Sequence, residues 1–462
     1  MQLNMEGTME KVRLREKLGM GSITLSINLV EQFVSAFLLF YLTDVFGLSP
    51  ALGGIVLMLG RIWDGVNDPI VGFFADNRRF KSGERVRPYA LFFCVPLAIC
   101  GVIMFTRVAV PDGLKFAYAL LMYILFDTLV TIIRLPSYGL PMLATSDPKQ
   151  RITINTYVSG AATLGGVLAS LMCWPLVRSF GGVTADGTLV NGAHGFFWTA
   201  AVIGVFIIIG SVVCYLTTKE RVKPIEEKEE KIGALKALSM MVRCRCWIKN
   251  SAFTLFYYMS NLMVTTSLVY YATYVLKNSG AVTTIMAAFA AGSLVVLPLV
   301  SFISKRFGRR VAMITGSSLL ILAKLVFLSG PYSMLMVMIN SFITGLSVGF
   351  SIVLFSTNRA DMVDIIEWKH GRRLENLMST LSGFIAKCGS SIATLLIGFG
   401  LELTNYVADA PVQTPEALRA IVAFQGLAPL IIGVIMLLIS ISITLDDDVR
   451  KMNAEKAQKG LV

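Results

Sequence analysis

The segment Gly60–Pro69 reads G-R-I-W-D-G-V-N-D-P and places four polar side chains, Arg61, Asp64, Asn67 and Asp68, within an otherwise apolar stretch. On insertion scales a charge near the bilayer centre costs about 2.5–3.5 kcal/mol, so charges kept there normally mark the path of an ion or a substrate. The apolar residues around this cluster decide the fold class. The cluster itself is the first candidate for function.

The composition predicts an all-α membrane protein. The chain has 462 residues, of which 55% are hydrophobic, and its mean hydropathy is +0.70. A soluble core of this length cannot use so much apolar sequence. Twelve stretches are long enough to cross a hydrocarbon core of about 30 Å. They cover approximately residues 22–46, 51–75, 88–107, 114–141, 153–178, 195–217, 251–276, 281–303, 311–330, 333–358, 376–402 and 420–445.

The positions of the basic residues predict that both termini are cytoplasmic. Of the 41 Lys and Arg, the predicted outer loops hold only Arg107, Lys115, Arg178, Lys277 and Arg419. Most of the others lie in the segments between spans that would then face the cytoplasm, as the positive-inside rule requires. The net charge of +12 therefore reflects topology and anionic lipid headgroups, and no nucleic-acid partner is predicted. Residues 1–21 are polar and charged, so no cleavable signal is expected.

The chain is predicted to consist of two six-helix halves, residues 1–217 and 251–445. A cytoplasmic linker (218–250) joins them, and a tail (446–462) follows. In the linker, apolar residues recur at helical spacing and predict an amphipathic helix along the membrane surface; they are Ile232, Leu235, Leu238 and Met241. Short basic loops after the second and eighth spans suggest an internal repeat. Two such halves would place a substrate site near the midplane.

Enzyme chemistry is not predicted. The two histidines, His194 and His370, are far apart, and the sequence has no P-loop, nucleophile elbow or metal-ligand run. Cys244 and Cys246 have the wrong spacing for a CxxC pair, so a structural role is favoured for the cysteines. We therefore expect no cofactor.

The cluster in the second span has two interpretations. Asp64 and Asp68 are four residues apart and share a helix face, with Asn67 beside them and Arg61 one turn away. Two carboxylates this close cannot both ionise comfortably in a low-dielectric site, so the pair should bind a cation or keep a proton. Hard oxygen ligands suit sodium as well as a proton. The alternative is a static salt-bridge network led by Arg61 and Asp64.

Three segments carry a resemblance to a known family. They are Y-L-T-D-V-F-G-L at 41–48, R-I-W-D-G-V-N-D-P-I-V-G at 61–72, and the charged region from Ala360 to Lys387. On these segments the chain resembles the glycoside–pentoside–hexuronide:cation symporters, the melibiose carrier group of the major facilitator superfamily. The resemblance extends over both halves. It implies a major facilitator fold of twelve helices and sodium- or proton-coupled symport of a sugar by alternating access.

The resemblance also implies a set of cation ligands. The melibiose carrier binds its cation with two aspartates and an asparagine of helix II and a threonine of helix IV. These positions correspond to Asp64, Asp68, Asn67 and Thr131 when T-I-I-R-L-P at 131–136 is aligned on the carrier's Thr-x-x-Asp-x-Pro. A sodium ion at these four residues is therefore expected.

The same alignment implies a rewired substrate pocket. Arg134 replaces a sugar-binding aspartate of helix IV, and Asn28 replaces one of helix I. Arg134 could recognise a carboxylate, as in a hexuronide, or could pair internally with Asp127, with Glu31 as a further internal partner. Both alternatives stay open.

The resemblance assigns Lys387, deep in the eleventh span, to the interface of cation and sugar. The alternative is a lysine whose ammonium reaches water, which suits Lys324 better than Lys387. The predicted substrate site therefore comprises Asn28, Arg61, Asp127, Arg134 and Lys387. The charged segment Arg359–Glu375 is expected to be a loop, either a salt-bridged cytoplasmic gate or simply solvated.

The expected partners are a sugar, the coupling cation and the lipid bilayer of a bacterial cytoplasmic membrane, and a monomer is expected. Another class of function is a sodium-dependent transporter of lysolipids or other amphiphiles, or a non-transporting sensor of the same fold. The sequence does not separate these from a sugar symporter.

Overall fold

The computed structural model describes residues 12–77, 80, 83–145, 148–183, 189–221, 244–370, 375–408, 410 and 412–458. Within this part of the chain the regular elements are helices. They are α1 Leu14–Phe40, α2 Pro50–Asn77, α3 Arg87–Met104, α4 Asp112–Leu143, α5 Pro148–Gly181, α6 Gly192–Thr217, α7 Arg245–Tyr270, α8 Ala281–Phe307, α9 Arg309–Ser329, α10 Met334–His370, α11 Glu375–Leu403, α12 Pro415–Gln425, α13 Leu427–Ser442 and α14 Leu445–Gln458. A π-helical turn follows α1 at Tyr41–Val45, and another follows α7 at Tyr271–Val275.

A helix covers each predicted apolar stretch, and α12 and α13 together cover the last. In the described part of the chain, 10 of these helical segments are long and apolar enough to cross a membrane. α2 and α7 are not among them. α2 contains Arg61, Asp64 and Asp68, which lower the hydropathy of a segment that is otherwise long enough. The count of twelve crossings and the cytoplasmic position of the termini stay predictions.

Two further expectations concern segments between spans. The segment Arg359–Glu375, expected to be a loop, is helical up to His370, so the loop prediction is wrong for this part. The segment from Asp361 to Glu367 contains no Gly or Pro, and its Met362 and Glu367 are good helix formers, which lets α10 continue. The predicted linker helix around Ile232 lies outside the described residues. α14 occupies most of the predicted tail.

The contacts divide the chain into two compact units. Unit 1 is Met1–Leu48 with Trp63–Lys228, and unit 2 is Ser49–Ile62 with Glu229–Val462. α2 is thus divided after Ile62. Its first turns belong to unit 2 because Gly398 of α11 lets the backbones approach, since a Cβ at Gly398 would lie 2.4 Å from the Pro50 carbonyl oxygen. The predicted boundaries at residues 217 and 251 are not tested by this division.

The core of unit 1 is aromatic. α1 packs against α5 and α6, and α3 packs against α4 and α6. The ring of Phe37 stacks on Trp174 with 5.4 Å between centroids, and Phe105 stacks on Phe196 at 5.8 Å. Such rings bury a large apolar area each, so this cluster forms much of the packed interior between α1, α5 and α6.

Both predicted halves contain the same turn at the end of their first helix. The sequences are Y-L-T-D-V at 41–45 and Y-A-T-Y-V at 271–275. In unit 1 the amide of Phe46 donates to the Tyr41 carbonyl at 2.9 Å, and in unit 2 the amide of Leu276 donates to the Tyr271 carbonyl at 3.0 Å.

Helix packing repeats in the same way. A Cβ at Gly165 of α5 would lie 2.3 Å from the Leu25 carbonyl oxygen of α1, and a Cβ at Gly389 of α11 would lie 2.3 Å from the Leu255 carbonyl oxygen of α7. In each predicted half a glycine thus brings the first helix against the fifth. Together with the shared turn, this packing is stronger evidence for an internal repeat than the basic loops.

Candidate functional site

The polar cluster of α2 is largely buried. The exposed fraction is 2% for Asn67 and 8% for Asp64, while Asp68 is half-buried. Asp64 and Asp68 are four residues apart in a continuous helix, so they share a face, as expected. The regular α-helix, which the sequence predicts from its apolar length alone, is what aligns the two carboxylates.

Two hydrogen bonds connect this part of α2 to α4. The Thr131 hydroxyl donates to Oδ1 of Asp68 at 3.1 Å, and the indole Nε1–H of Trp63 donates to Oγ1 of Thr128 at 2.9 Å. Thr131 is 7% exposed. The structure therefore brings together the predicted helix-II acid and the predicted helix-IV threonine.

Sequence reasoning missed Trp63 and Thr128. The signal was present in their spacing, because Thr128 is one helical turn before Thr131 and Trp63 is one turn before Asn67. The Thr128 hydroxyl donates onward to the Ile124 carbonyl at 2.8 Å. Its oxygen therefore accepts from Trp63, and this bond holds α4 in register with α2.

Asn67 has a buried polar atom that no group of the described residues satisfies. Its Nδ2 has no hydrogen-bond partner there, and a buried unsatisfied donor costs about 1–3 kcal/mol. Rotation of the amide about χ2 exchanges nitrogen and oxygen, so the same position can present Oδ1 to a cation. An unsatisfied amide beside two carboxylates is a feature of a binding site more than of static helix packing.

Two prolines add carbonyl oxygens near the cluster. Pro69 in α2 and Pro136 in α4 have no amide hydrogen, so the carbonyls of Gly65 and Ile132 lack their usual α-helical donor. Such freed oxygens are tolerated within membranes where another group satisfies them. Sequence reasoning used both prolines only as part of the family motifs and did not predict these oxygens.

The donor set suits a hard cation such as sodium. It consists of two carboxylates, an amide and a hydroxyl, all hard oxygen ligands. Within the described ranges no group of three or more His, Cys, Asp or Glu side chains is placed to hold a metal ion. The ion would be cargo of transport and not a resident cofactor.

The predicted substrate residues of unit 1 lie on α1 and α4. Arg134 forms an ion pair with Glu31, and the Asn28 amide donates to the Thr24 carbonyl at 2.9 Å. Asp127 is half-buried two turns before Arg134. Of the internal partners considered for Arg134, Glu31 is the one that the structure places in contact with the guanidinium.

The other predicted substrate residues belong to unit 2. Lys387 is half-buried on α11, and its carbonyl accepts from the Ser391 hydroxyl at 2.8 Å. Arg61 is half-buried on the first part of α2, one turn before Asp64. Their assignments to the substrate, and the alternative network led by Arg61 and Asp64, stay predictions.

The expectation for Lys324 is wrong. Its side chain does not reach water, because Lys324 is 0% exposed and its Nζ donates to Oδ1 of Asn340 at 3.2 Å. The rotation of a helix about its axis decides which neighbouring helix a side chain faces. In α9 this rotation places Lys324 against α10.

A family model described as MFS/sugar transport protein matches residues 19–447. The chain belongs to this family. The isoprimeverose transporter of Lactiplantibacillus pentosus is 30% identical over 400 residues, which cover 85% of this chain and 81% of that protein. A glucuronide carrier protein homolog of Escherichia coli (strain K12) is 28% identical over 399 residues, covering 85% of this chain and 84% of that one.

A solved structure supports the fold. It is that of a bacterial homolog of the human lysosomal transporter Spinster, which aligns with a TM-score of 0.65 and 15% identity over 96% of this chain and 98% of that one. Identity this low shows the fold alone. Together these matches confirm the predicted family resemblance: the chain is a multi-pass membrane protein and a secondary transporter of the major facilitator type, not an enzyme.

Proposed function

We propose that the chain is a cation-coupled symporter of a sugar or glycoside and that Asp64, Asn67, Asp68 and Thr131 bind the cation. The hydrogen bond from Thr131 to Asp68 carries this proposal, because it joins the acid pair of α2 to the hydroxyl of α4. The unsatisfied amide of Asn67 supports it. The names of the relatives, an isoprimeverose transporter and a glucuronide carrier homolog, support a sugar as the substrate.

Coupling follows from the charge at this site. Two adjacent carboxylates repel each other, so an arrangement that brings their oxygens together is stable only when a cation or a proton lies between them. If the sugar binds best to that arrangement, each ligand raises the affinity for the other by the same factor. The loaded protein then exposes both ligands to the opposite side by alternating access.

Uptake into proteoliposomes tests the cation site. Asp64→Cys and Asp68→Cys should each abolish cation-driven accumulation of a labelled glycoside while the protein still inserts and folds. The matched control is Asp112→Asn, since this carboxyl is 94% exposed and pairs with Lys115 at 2.8 Å. Normal accumulation by either α2 variant would exclude the proposed site.

Sodium is slightly favoured over the proton. Asn67 and Thr131 supply neutral oxygens, which sodium uses as ligands and a proton does not need. Uptake at constant pH should therefore rise when sodium replaces choline. Indifference to sodium, together with strong dependence on a pH gradient, would assign the site to a proton.

The charge of the sugar is tested separately. A fixed guanidinium forms charge-assisted hydrogen bonds with a carboxylate, typically about 1.5–3 kcal/mol, but Arg134 already pairs with Glu31. If the substrate is anionic, Arg134→Gln should weaken uptake of an acidic glycoside more than uptake of its neutral counterpart. Equal losses for both glycosides would mean that Arg134 acts only in its ion pair with Glu31, and the symporter proposal would stand.

The same vesicles separate the other class of function. A lysolipid transporter would show sodium-dependent uptake of a labelled lysolipid and none of glycosides. A sensor would bind a sugar without accumulating it. Either outcome would contradict the sugar symporter.

A further inference from the structure

Lys324 is a fully enclosed lysine that the proposed transport site does not use. It lies on α9 of unit 2 with 0% exposure, and its Nζ donates to Oδ1 of Asn340 on α10 at 3.2 Å. The Thr344 hydroxyl donates to the same Oδ1 at 3.4 Å. The amide oxygen is neutral, so this contact does not balance an ammonium charge.

The helices that pack against α9 bring no counter-charge to this position. α9 contacts α8, α10, α13 and α14. The sequence has no ionisable side chain in 281–304 of α8, in 334–355 of α10 or in α13. The charged residues of α14 come after the end of α13, and Arg310 of α9 contacts the Ile441 carbonyl at that end. At 1.5 Å per residue, Arg310 and Lys324 are about 21 Å apart along α9, so the charges of α14 are far from Lys324.

One ionisable side chain of another element that contacts α9 is Tyr271. Its ring packs on Phe327, with 5.4 Å between centroids, and its hydroxyl donates to the Pro331 carbonyl. A phenol that donates to a carbonyl is neutral. Among the described residues, the side chains that contact Lys324 or its amide partner are therefore uncharged.

This surrounding suits an amine better than an ammonium ion. An ammonium has three donors and a full charge, and burial without a counter-ion removes hydration that a single amide oxygen does not replace. A neutral amine loses far less hydration on burial, and its hydrogen bond to Asn340 replaces what it loses. The enclosed arrangement of α9 and α10 is therefore compatible with the deprotonated side chain.

We propose that Lys324 is a second proton-binding site, separate from the acid pair on α2. In the enclosed arrangement the side chain is a neutral amine. When α9 moves relative to α10 and water reaches Nζ, the amine lone pair takes a proton from a hydronium ion and becomes an ammonium. The enclosed arrangement then cannot form again until this proton leaves.

The sign of the pH effect follows. The enclosed arrangement binds fewer protons at Nζ than an arrangement in which Nζ meets water, so falling pH disfavours it. Its stability is greatest in alkaline solution and is lost on acidification. This inference does not depend on the identity of the sugar or of the cation at α2.

Nitrogen NMR of the purified protein with 15N-labelled lysine tests the protonation state directly. The Nζ signal that disappears in Lys324→Met belongs to Lys324. It should have the shift of an amine at about pH 8.5 and that of an ammonium at about pH 5.5. A signal that keeps the shift of an ammonium throughout would overturn the proposal.

Thermal unfolding over the same pH range is the second measurement. The melting temperature of the unmodified protein should fall more steeply on acidification than that of Lys324→Met, which keeps the length of the side chain without a charge. Lys115→Met is the matched control, since Lys115 pairs with an exposed carboxyl, and its profile should follow the unmodified protein. Identical profiles for Lys324→Met and the unmodified protein would contradict the proposal.

Asn340→Asp keeps the test valid if Lys324→Met fails to fold. A carboxylate at this position supplies the missing counter-charge, so the ammonium becomes stable in the enclosed arrangement. No lysine signal with the shift of an amine should then remain at about pH 8.5, whereas the unmodified protein should show one. If the unmodified protein also shows only ammonium signals at this pH, Lys324 is already charged, which would overturn the proposal.

Discussion

At the scale of single residues, Thr131 and Thr128 distinguish ion binding from helix packing. They are one turn apart on α4, but Thr131 contacts the acid Asp68 and Thr128 contacts the indole of Trp63. We expect Thr131→Val to raise the sodium concentration for half-maximal uptake about 2–10-fold, the equivalent of one neutral hydrogen bond. Thr128→Val should leave this concentration nearly unchanged. Equal effects would mean that both threonines act only in packing.

The ion pair between Arg134 and Glu31 is a second residue-scale case. Removal of one partner leaves the other charge unpaired within the bilayer, which costs more than removal of both. Glu31→Gln and Arg134→Gln should each reduce transport or expression. The double variant should recover at least part of the loss, as measured by a double-mutant cycle on uptake rates. Additive losses would mean that the two charges act independently.

Cys246 gives a residue-scale prediction on reactivity. Burial, and then the hydrogen bond that the thiol donates to Oδ2 of Asp448 at 2.6 Å, raise the pKa of Cys246 to about 12. A raised pKa keeps the thiol protonated at neutral pH, and the thiolate is the nucleophile. With the other cysteines replaced, alkylation at about pH 8 should be at least about a hundredfold slower than that of a free thiol, and Asp448→Asn should accelerate it. Rapid alkylation of Cys246 in the protein with Asp448 unchanged would contradict the hydrogen bond between Cys246 and Asp448.

At the scale of elements, the N-terminus of α3 is capped from the end of α6. The Glu220 carboxylate accepts from the amides of Arg85 at 2.8 Å, Val86 at 2.9 Å and Arg87 at 2.8 Å. A helix N-terminus has unsatisfied amides and a positive dipole, so a carboxylate there stabilises it.

Glu220→Gln tests this cap. Loss of the charge should lower the free energy of unfolding by about 1–2 kcal/mol, measured by thermal or denaturant unfolding in detergent. The neighbouring Lys219→Met, at an exposed position, is the control and should have little effect. A loss of the same size in the control would mean that the segment acts through charge in general and not through the cap.

At the scale of the whole molecule, ion binding should stabilise the fold. A ligand that binds only the folded protein stabilises it by about 2.7 kcal/mol when its concentration is a hundred times its dissociation constant. Sodium chloride should therefore raise the melting temperature more than choline chloride of equal ionic strength. Asp68→Cys should lose this difference. The same shift with both salts would indicate an effect of ionic strength and no sodium site.

Part of this molecule was predictable because it depends on local periodicity. The hydropathy of the chain predicts membrane helices, and the spacing of Asp64, Asn67 and Asp68 predicts a shared helix face. Each follows from the geometry of one helix. The family resemblance adds Thr131, which lies 63 residues from Asp68 in the chain and which no local pattern connects to it.

The sequence by itself thus determined that the protein lies in a membrane, that it belongs to the sugar transport family, and which residues share a face of α2. Only the tertiary structure decided which partner each polar side chain has: Glu31 for Arg134, Asn340 for the enclosed Lys324, and Trp63 for Thr128. The physical reason is that periodicity within a helix is set by 3.6 residues per turn, whereas a contact between helices depends on the rotation and offset of both. Rotation and offset are set by close packing at positions such as Gly165 and Gly389, where one Cβ would force the helices apart.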